Sequence, residues 1–206
     1  MNSNHYFWTA DDFDVFTIDG LANRMGALQT LVQPKFEILG RHFADRLSAR
    51  GRDEFFPHVA KHARRTVNPP TDSWVAIAPS KRGYKALPHF QIGLWNTHLF
   101  IIIAVIYENP DKKGIAERLE LNTNKLLALP DTFIVSGDHM KPDAQYISQE
   151  NLEKLLTRLQ SVKKAEFLVG RHLTKEDATK MSEKQFITFA KETVERLLPI
   201  YDVIIG

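Results

Sequence analysis

Six cationic side chains, Lys61, Arg64, Arg65, Lys81, Arg82 and Lys85, stand between His58 and His89 against a single carboxylate, Asp72. The segment also holds His62, so it combines fixed positive charge with imidazoles that exchange protons near neutral pH. The whole chain has 27 Lys plus Arg and 25 Asp plus Glu, which leaves 21 basic against 24 acidic residues elsewhere. A near-neutral protein with one strongly basic segment points to an anionic partner more directly than its overall charge does. Two partners fit. One is a phosphorylated or otherwise anionic small molecule held in a basic pocket. The other is a nucleic-acid backbone gripped on an open surface, with Tyr84 stacking on a base.

Within this segment the spacing predicts a short helix from Pro57 to Thr66, with proline in its first turn and Asn68-Pro69-Pro70 ending it. At helical phase His58, Lys61, His62 and Arg65 share one stripe about 100° wide. The spacing of His58 and His62 matches the zinc helix of metallopeptidases. Val59, however, stands where the general-base Glu is required, and the neighbouring cations oppose a bound cation, so no metal site is predicted. The loop Ser80-Lys81-Arg82-Gly83-Tyr84-Lys85 leads into a strand over Pro88 to Trp95, where His89 and Gln91 alternate with Phe90 and Ile92. That alternation turns His89 and Gln91 toward whatever covers the opposite face. Arg65, His62 and His89 are therefore expected to converge on a phosphate or sulfate, and the opposed reading is a solvated basic surface with His89 satisfied in the core.

A second constellation, Ser136-Gly137-Asp138-His139-Met140-Lys141-Pro142-Asp143, follows another predicted strand. Asp138 and His139 offer an acceptor and a proton shuttle, and Lys141 a countercharge, although the same residue types also make ordinary turns. His62, His89, Asp138 and His139 are thus the catalytic candidates. The ligand-binding candidates are His58, Lys61, Arg64, Arg65, Lys81, Arg82, Tyr84, Gln91 and Lys141. There is no Walker loop, Gly-x-Gly-x-x-Gly, Gly-x-Ser-x-Gly or His-Glu-x-x-His, so no cofactor is predicted and enzyme and binding protein both stand.

The elements that must position these groups are readable from period. Leu21, Met25, Leu28, Val32, Phe36, Leu39, Phe43 and Leu47 form one helical stripe, with a kink or break expected at Pro34. Trp74 to Ala78 reads as a strand. Pro88 to Trp95 and the uniformly apolar Leu99 to Ile106 form a hairpin about Asn96-Thr97, the second strand lying inside a sheet covered by helices on both faces. Helices follow at 112–129, 148–159 and 182–198, with strands at 133–136 and 165–171. This order predicts one α+β domain over residues 1–206, with a largely antiparallel or mixed sheet flanked by helices. With 206 residues and 43% hydrophobic content, the chain is long enough for one sizeable core. The N-terminus has neither the basic nor the apolar region of a signal peptide, and the run at 99–106 is far shorter than the ~20 residues that cross a bilayer. The absence of cysteine fits a cytoplasmic protein.

Several blocks resemble the YktB-like family of Bacillota proteins: Phe16-Thr-Ile-Asp-Gly-Leu21, Phe56-Pro-His-Val-Ala-Lys-His-Ala-Arg-Arg65, Val67-Asn-Pro-Pro70, Lys81-Arg-Gly-Tyr-Lys85, Leu87-Pro-His-Phe-Gln-Ile-Gly93, Asp138-His-Met-Lys-Pro-Asp143 and Val162-Lys-Lys-Ala-Glu166. They span nearly the whole chain. The resemblance implies an α+β domain with a helix-flanked, largely antiparallel sheet, and it assigns no catalytic residue.

Overall fold

The computed structural model describes residues 7–206; residues 1–6, part of the stretch read above for a leader, lie outside it. Strands β1 (Phe56–Val59), β2 (Asp72–Ala78), β3 (His89–Trp95), β4 (His98–Val105), β5 (Phe133–Ser136), β6 (Gln145–Tyr146) and β7 (Phe167–Thr174) form one sheet in the order β1-β2-β3-β4-β7-β5-β6. Every neighbouring pair is antiparallel. The β3–β4 hairpin turns at Asn96-Thr97 with Leu94 opposite Leu99, and β4 is central and buried along its whole length.

The two faces of the sheet differ. Val75, Ile77, Phe90, Ile92, Ile101, Ile103 and Val169 face one way and join a large core with helices α1 (Ala10–Asp14), α2 (Leu21–Ala27), α3 (Gln33–Ser48), α4 (Lys112–Leu121), α5 (Thr123–Leu127), α6 (Gln149–Ser161), α7 (Lys175–Lys180) and α8 (Glu183–Ile205). Trp95, Phe100, Ile102, Ala104 and Leu168 face the other way and form a second, smaller cluster with Trp74. Among the described residues, no helix supplies a residue to that cluster. The expected second helical layer is absent among the described residues, and the apolarity of β4 on this side is covered by aromatic neighbours and by the loops at 79–88 and 137–144.

The helical stripe from Leu21 to Leu47 is present, with a π turn at Leu28–Val32 joining α2 to α3. Pro34 falls in the first turn of α3, and the widened turn before it relieves the clash its ring makes with the preceding helix. The expected helix over 57–66 is not formed. Residues 56–59 are the edge strand β1, with Pro57 opposite Ile77 and His58 opposite Ala76, and the chain then runs irregularly to β2. An edge strand tolerates proline because the missing N–H forfeits no essential ladder bond, and Val59 suits extended backbone. The expected helix over 112–129 divides at Asn122, whose Nδ2 donates to the Arg118 carbonyl at 2.9 Å. The last helix runs past its expected end, through Pro199 to Ile205. Burial of Ile200, Tyr201 and Ile204 offsets the ~3 kcal/mol that an interior proline costs. No helix of the described residues is long and apolar enough to cross a membrane.

Close strand packing has a sharp requirement at Gly170. A methyl group there would fall on the Ile101 carbonyl oxygen and the Ile102 backbone, whereas at Gly93 it would meet only the Phe100 ring, which can move. Gly170→Ala is expected to lose about 2–3 kcal/mol of stability by overpacking and Gly93→Ala less, both read from urea midpoints.

Candidate active site

The loop between β5 and β6 carries Asp138, His139, Lys141 and Asp143. It is shaped locally: the Asp138 side chain accepts the Met140 backbone N–H at 2.9 Å, and the Asp138 carbonyl accepts the Lys141 N–H at 3.3 Å. Its attachment comes from Glu166, immediately before β7 and only 4% exposed. The Glu166 carboxylate accepts the Tyr107 backbone N–H at 3.2 Å and the His139 backbone N–H at 2.9 Å. It also lies 2.7 and 2.9 Å from His139 Nδ1 through its two oxygens. A carboxylate in that position fixes the proton on Nδ1 and leaves Nε2 as the exchangeable nitrogen. Burial alone lowers the His139 pKa, but the hydrogen bond and charge of Glu166, aided by Asp72 and Asp138, outweigh it and leave the pKa raised.

His139 borders two spaces. The outer one is an open pocket of about 530 Å³, where Tyr107, Lys141, Arg158 and Lys164 also reach the wall. Arg158 and Lys164 are exposed and have no ion-pair partner among the described residues, while Lys141 Nζ lies 3.7 Å from Asp138 Oδ2. The inner space is a small cavity against Gln91, Trp95, Phe100 and His172 on the sheet. Asp138, His139 and Glu166 also bring three donor atoms within 4.8 Å of one another. The Glu166 oxygens already accept from three N–H groups, and the Lys141 ammonium beside Asp138 opposes a second cation, so the set serves proton exchange better than metal ligation.

The basic segment forms a separate open groove of about 700 Å³ between β1 and the 79–88 loop, where His58, Lys61, Ser80, Arg82, Tyr84 and Lys85 meet. His58 Nε2 donates to the Ser80 carbonyl at 2.7 Å, and Tyr84 packs edge-on against His89 at 4.7 Å while its hydroxyl accepts from Trp74 Nε1 at 3.1 Å. Lys61, Arg64, Lys81 and Arg82 are exposed, and Lys85 pairs with Glu108 at 3.3 Å.

The trio Arg65, His62 and His89 is held by separate partners. Arg65 donates to the carbonyls of Asn68 and Pro69 at 3.3 and 3.4 Å, and His62 Nε2 sits 3.1 Å from Ser73 Oγ. Arg65 acts on His62, but the charged neighbours of His89 are His139, His58 and Glu166. His89 is fully buried, with Nδ1 donating to the Leu87 carbonyl at 2.7 Å and Nε2 accepting from Gln91 at 2.8 Å. The polar group that Gln91 and His89 require is therefore each other, not a cationic helix, and the His89 ring has no free nitrogen for a ligand.

The family model described as a domain of unknown function, DUF1054, matches residues 8–201. The chain belongs to the DUF1054 family. Within it, a UPF0637 protein of Lysinibacillus sphaericus (strain C3-41) is 56% identical over 202 residues, covering 97% of this chain and 96% of the relative. UPF0637 proteins of Bacillus velezensis and Bacillus cereus (strain B4264) are 52% and 50% identical, covering 94% and 92% of this chain and 94% and 93% of those relatives. These Bacillota relatives agree with the resemblance to the YktB-like family. Reading this DUF1054 chain from sequence missed Glu166, Arg158 and Lys164, which lie far along the chain from His139. The one available signal was Glu166 itself, a carboxylate leading into the apolar run at 167–169.

Two outcomes follow from this electrostatics. Glu166→Gln is expected to lower the His139 pKa from its raised value, since burial is then opposed only by the charges of Asp72 and Asp138, as histidine NMR titration would read. Burial also holds His62, His89 and His98 down to about 4, and burial beside the His98 ring, 4.1 Å away, holds His172 at about 3. These folded values lie below the ordinary 6.5, so the unfolded chain binds more protons. Their contribution is complete above about pH 6.5 and declines toward pH 4, by up to ~1.4 kcal/mol per pH unit for each. Asp72, which burial pushes up to about 6, acts in the opposite direction over the lower part of that window. Urea unfolding at pH 7.5, 6 and 5 should show the decline, and a His98→Phe/His172→Phe variant should flatten it.

Proposed function

We propose that this protein binds a phosphorylated or otherwise anionic small molecule in the pocket beside the 137–144 loop and acts on it as an acid–base enzyme through His139. The observation that carries this reading is the His139–Glu166 pair: an imidazole whose Nδ1 is fixed by a buried carboxylate at 2.7 Å, at the wall of a pocket with unpaired cations. In such a pair the carboxylate stabilises the imidazolium formed when Nε2 takes a proton, and the same nitrogen then returns it. Arg158 and Lys164, with Lys141 at the rim, supply the countercharge that draws an anion to Nε2. Asp138 positions the loop through its bond to the Met140 N–H. The cysteine-free composition supports a cytoplasmic location.

The basic groove supports a second reading. Lys61, Arg64, Lys81 and Arg82 are exposed, without ion-pair partners among the described residues, and flank Tyr84, an arrangement that suits a nucleic-acid backbone with one base stacked.

Thermal-shift screening against phosphorylated and carboxylated metabolites and short RNA, followed by calorimetry, separates the two. The enzyme reading expects a metabolite whose binding weakens by about 1.5–3 kcal/mol in Arg158→Ala/Lys164→Ala, the range for charge-assisted hydrogen bonds. It also expects turnover that His139→Gln abolishes while binding stays within a few-fold. Binding confined to RNA, with steep salt dependence and sensitivity to Lys81 and Arg82, would replace it with the second reading.

A further inference from the structure

The proposed reaction accounts for the charged groups of the His139 pocket and leaves its apolar side unused. Tyr107 and Met140, 45% and 55% exposed, are two of the few large apolar side chains that the protein leaves in solvent, and both line this one pocket. Leu155 of α6, half-buried and packed against the main core, lines it as well. Gly137 stands beside Leu155 in the same lining. A methyl group on Gly137 would fall 2.8 Å from Leu155 Cδ2, so glycine there leaves the leucine open to the pocket. Arg158 and Lys164 share this space with His139, and neither has an ion-pair partner among the described residues. Its volume of about 530 Å³ lies within the ~300–1,000 Å³ typical of small-molecule sites and exceeds what a bare inorganic anion fills.

Single exposed apolar side chains are ordinary, but three that meet at one concave site beside unpaired cations mark the place of a ligand's organic part. We propose that the substrate of this pocket is an aromatic phosphate monoester, with its ring against Tyr107, Met140 and Leu155 and its phosphate toward Arg158 and Lys164 beside His139. This deepens the reading of the pocket as an anion site and rests on it. A ring is favoured over an alkyl group of equal size, because a tyrosine ring packs on it in offset or edge geometry and a thioether sulfur contacts its edge, gains that add to buried area. A phosphate is favoured over a single carboxylate, because two unpaired cations match a dianion.

Methyl, cyclohexyl and phenyl phosphate, titrated by calorimetry and phosphorus NMR into wild type, Tyr107→Ala/Met140→Ala and Tyr107→Leu, test it. Wild type is expected to bind phenyl phosphate at least tenfold more tightly than methyl phosphate, and roughly two- to tenfold more tightly than cyclohexyl phosphate. The double variant should bring phenyl phosphate to the methyl phosphate affinity, with methyl phosphate itself unchanged, which also shows that the pocket has kept its fold. Tyr107→Leu retains apolar area without the ring and should lose only the preference for phenyl over cyclohexyl. Phenyl phosphate binding no more tightly than methyl phosphate, or keeping its advantage in the double variant, would overturn the inference and leave the anion site standing. Cyclohexyl phosphate binding as tightly as phenyl phosphate would overturn the aromatic assignment. Absence of methyl phosphate binding would overturn the anion site itself and the inference with it, a failure distinct from a ring that adds nothing.

Discussion

The carboxylate of Glu166 is the constraint on which the helix-free side of the molecule depends. It sits immediately before β7, accepts the N–H of Tyr107, two residues beyond β4, and accepts two N–H groups of His139 from the 137–144 loop. One buried anion thereby ties the ends of two central strands to the segment that covers their outer face. A carboxylate at this depth is tolerated because donors replace its lost hydration, and breaking such a buried pair typically costs about 3–5 kcal/mol. Stability and proton chemistry are thus joined at Glu166. Lys141, Arg158 and Lys164 are different: they are exposed, and the fold does not need them.

This arrangement follows from the unequal faces of the sheet. The helical face carries a continuous apolar core from Trp8 to Ile204 and supplies most of the burial. On the opposite face a small aromatic cluster is interrupted by His89, Gln91, His98, His172 and Asp72. Polar groups survive there because loops, unlike a packed helix, bring backbone carbonyls and side-chain hydroxyls to meet them: the Leu87 carbonyl meets His89, and Thr97 Oγ1 lies 2.8 Å from His98 Nδ1. Burial keeps these histidines as neutral rings, with both nitrogens of His89 satisfied and His98 Nε2 left without a partner, which stabilises the protein at neutral pH and penalises acid. Only His139 faces a carboxylate strong enough to reverse that trend.

Local signals made much of this fold legible in sequence. The β3–β4 hairpin, β5, and the starts of the helices that follow Ser148 and Ser182 lie where the period places them, since each signal acts over a few residues. The segment 57–66 misled because His58, Lys61, His62 and Arg65 fit a helical stripe with little apolar surface beside it to bury, and pairing of 56–59 with β2 is a tertiary effect that the pattern does not encode. In the site, Asp138, His139 and Lys141 were readable as a strand-end cluster. Glu166 was not, because its bond to His139 spans 27 residues and exists only once β5 and β7 pair.

The charge asymmetry of the sequence and the acid–base pair of the structure lie in different places, yet they work on the same side of the molecule. His58, Tyr84 and His89 lie on the sheet face that lacks helices, the face that also carries the 137–144 loop, so the cations of the 60–71 and 79–88 loops sit on the same side of the molecule as the pocket. Exposed charges act over roughly 8 Å at physiological ionic strength, which suffices to enrich an anion near this face without touching it in the bound state. Recognition and chemistry then need not share residues. Under the proposed function, a basic segment that does not line the pocket would set the rate at which an anion reaches it, while Glu166 and His139 would act on the anion once bound.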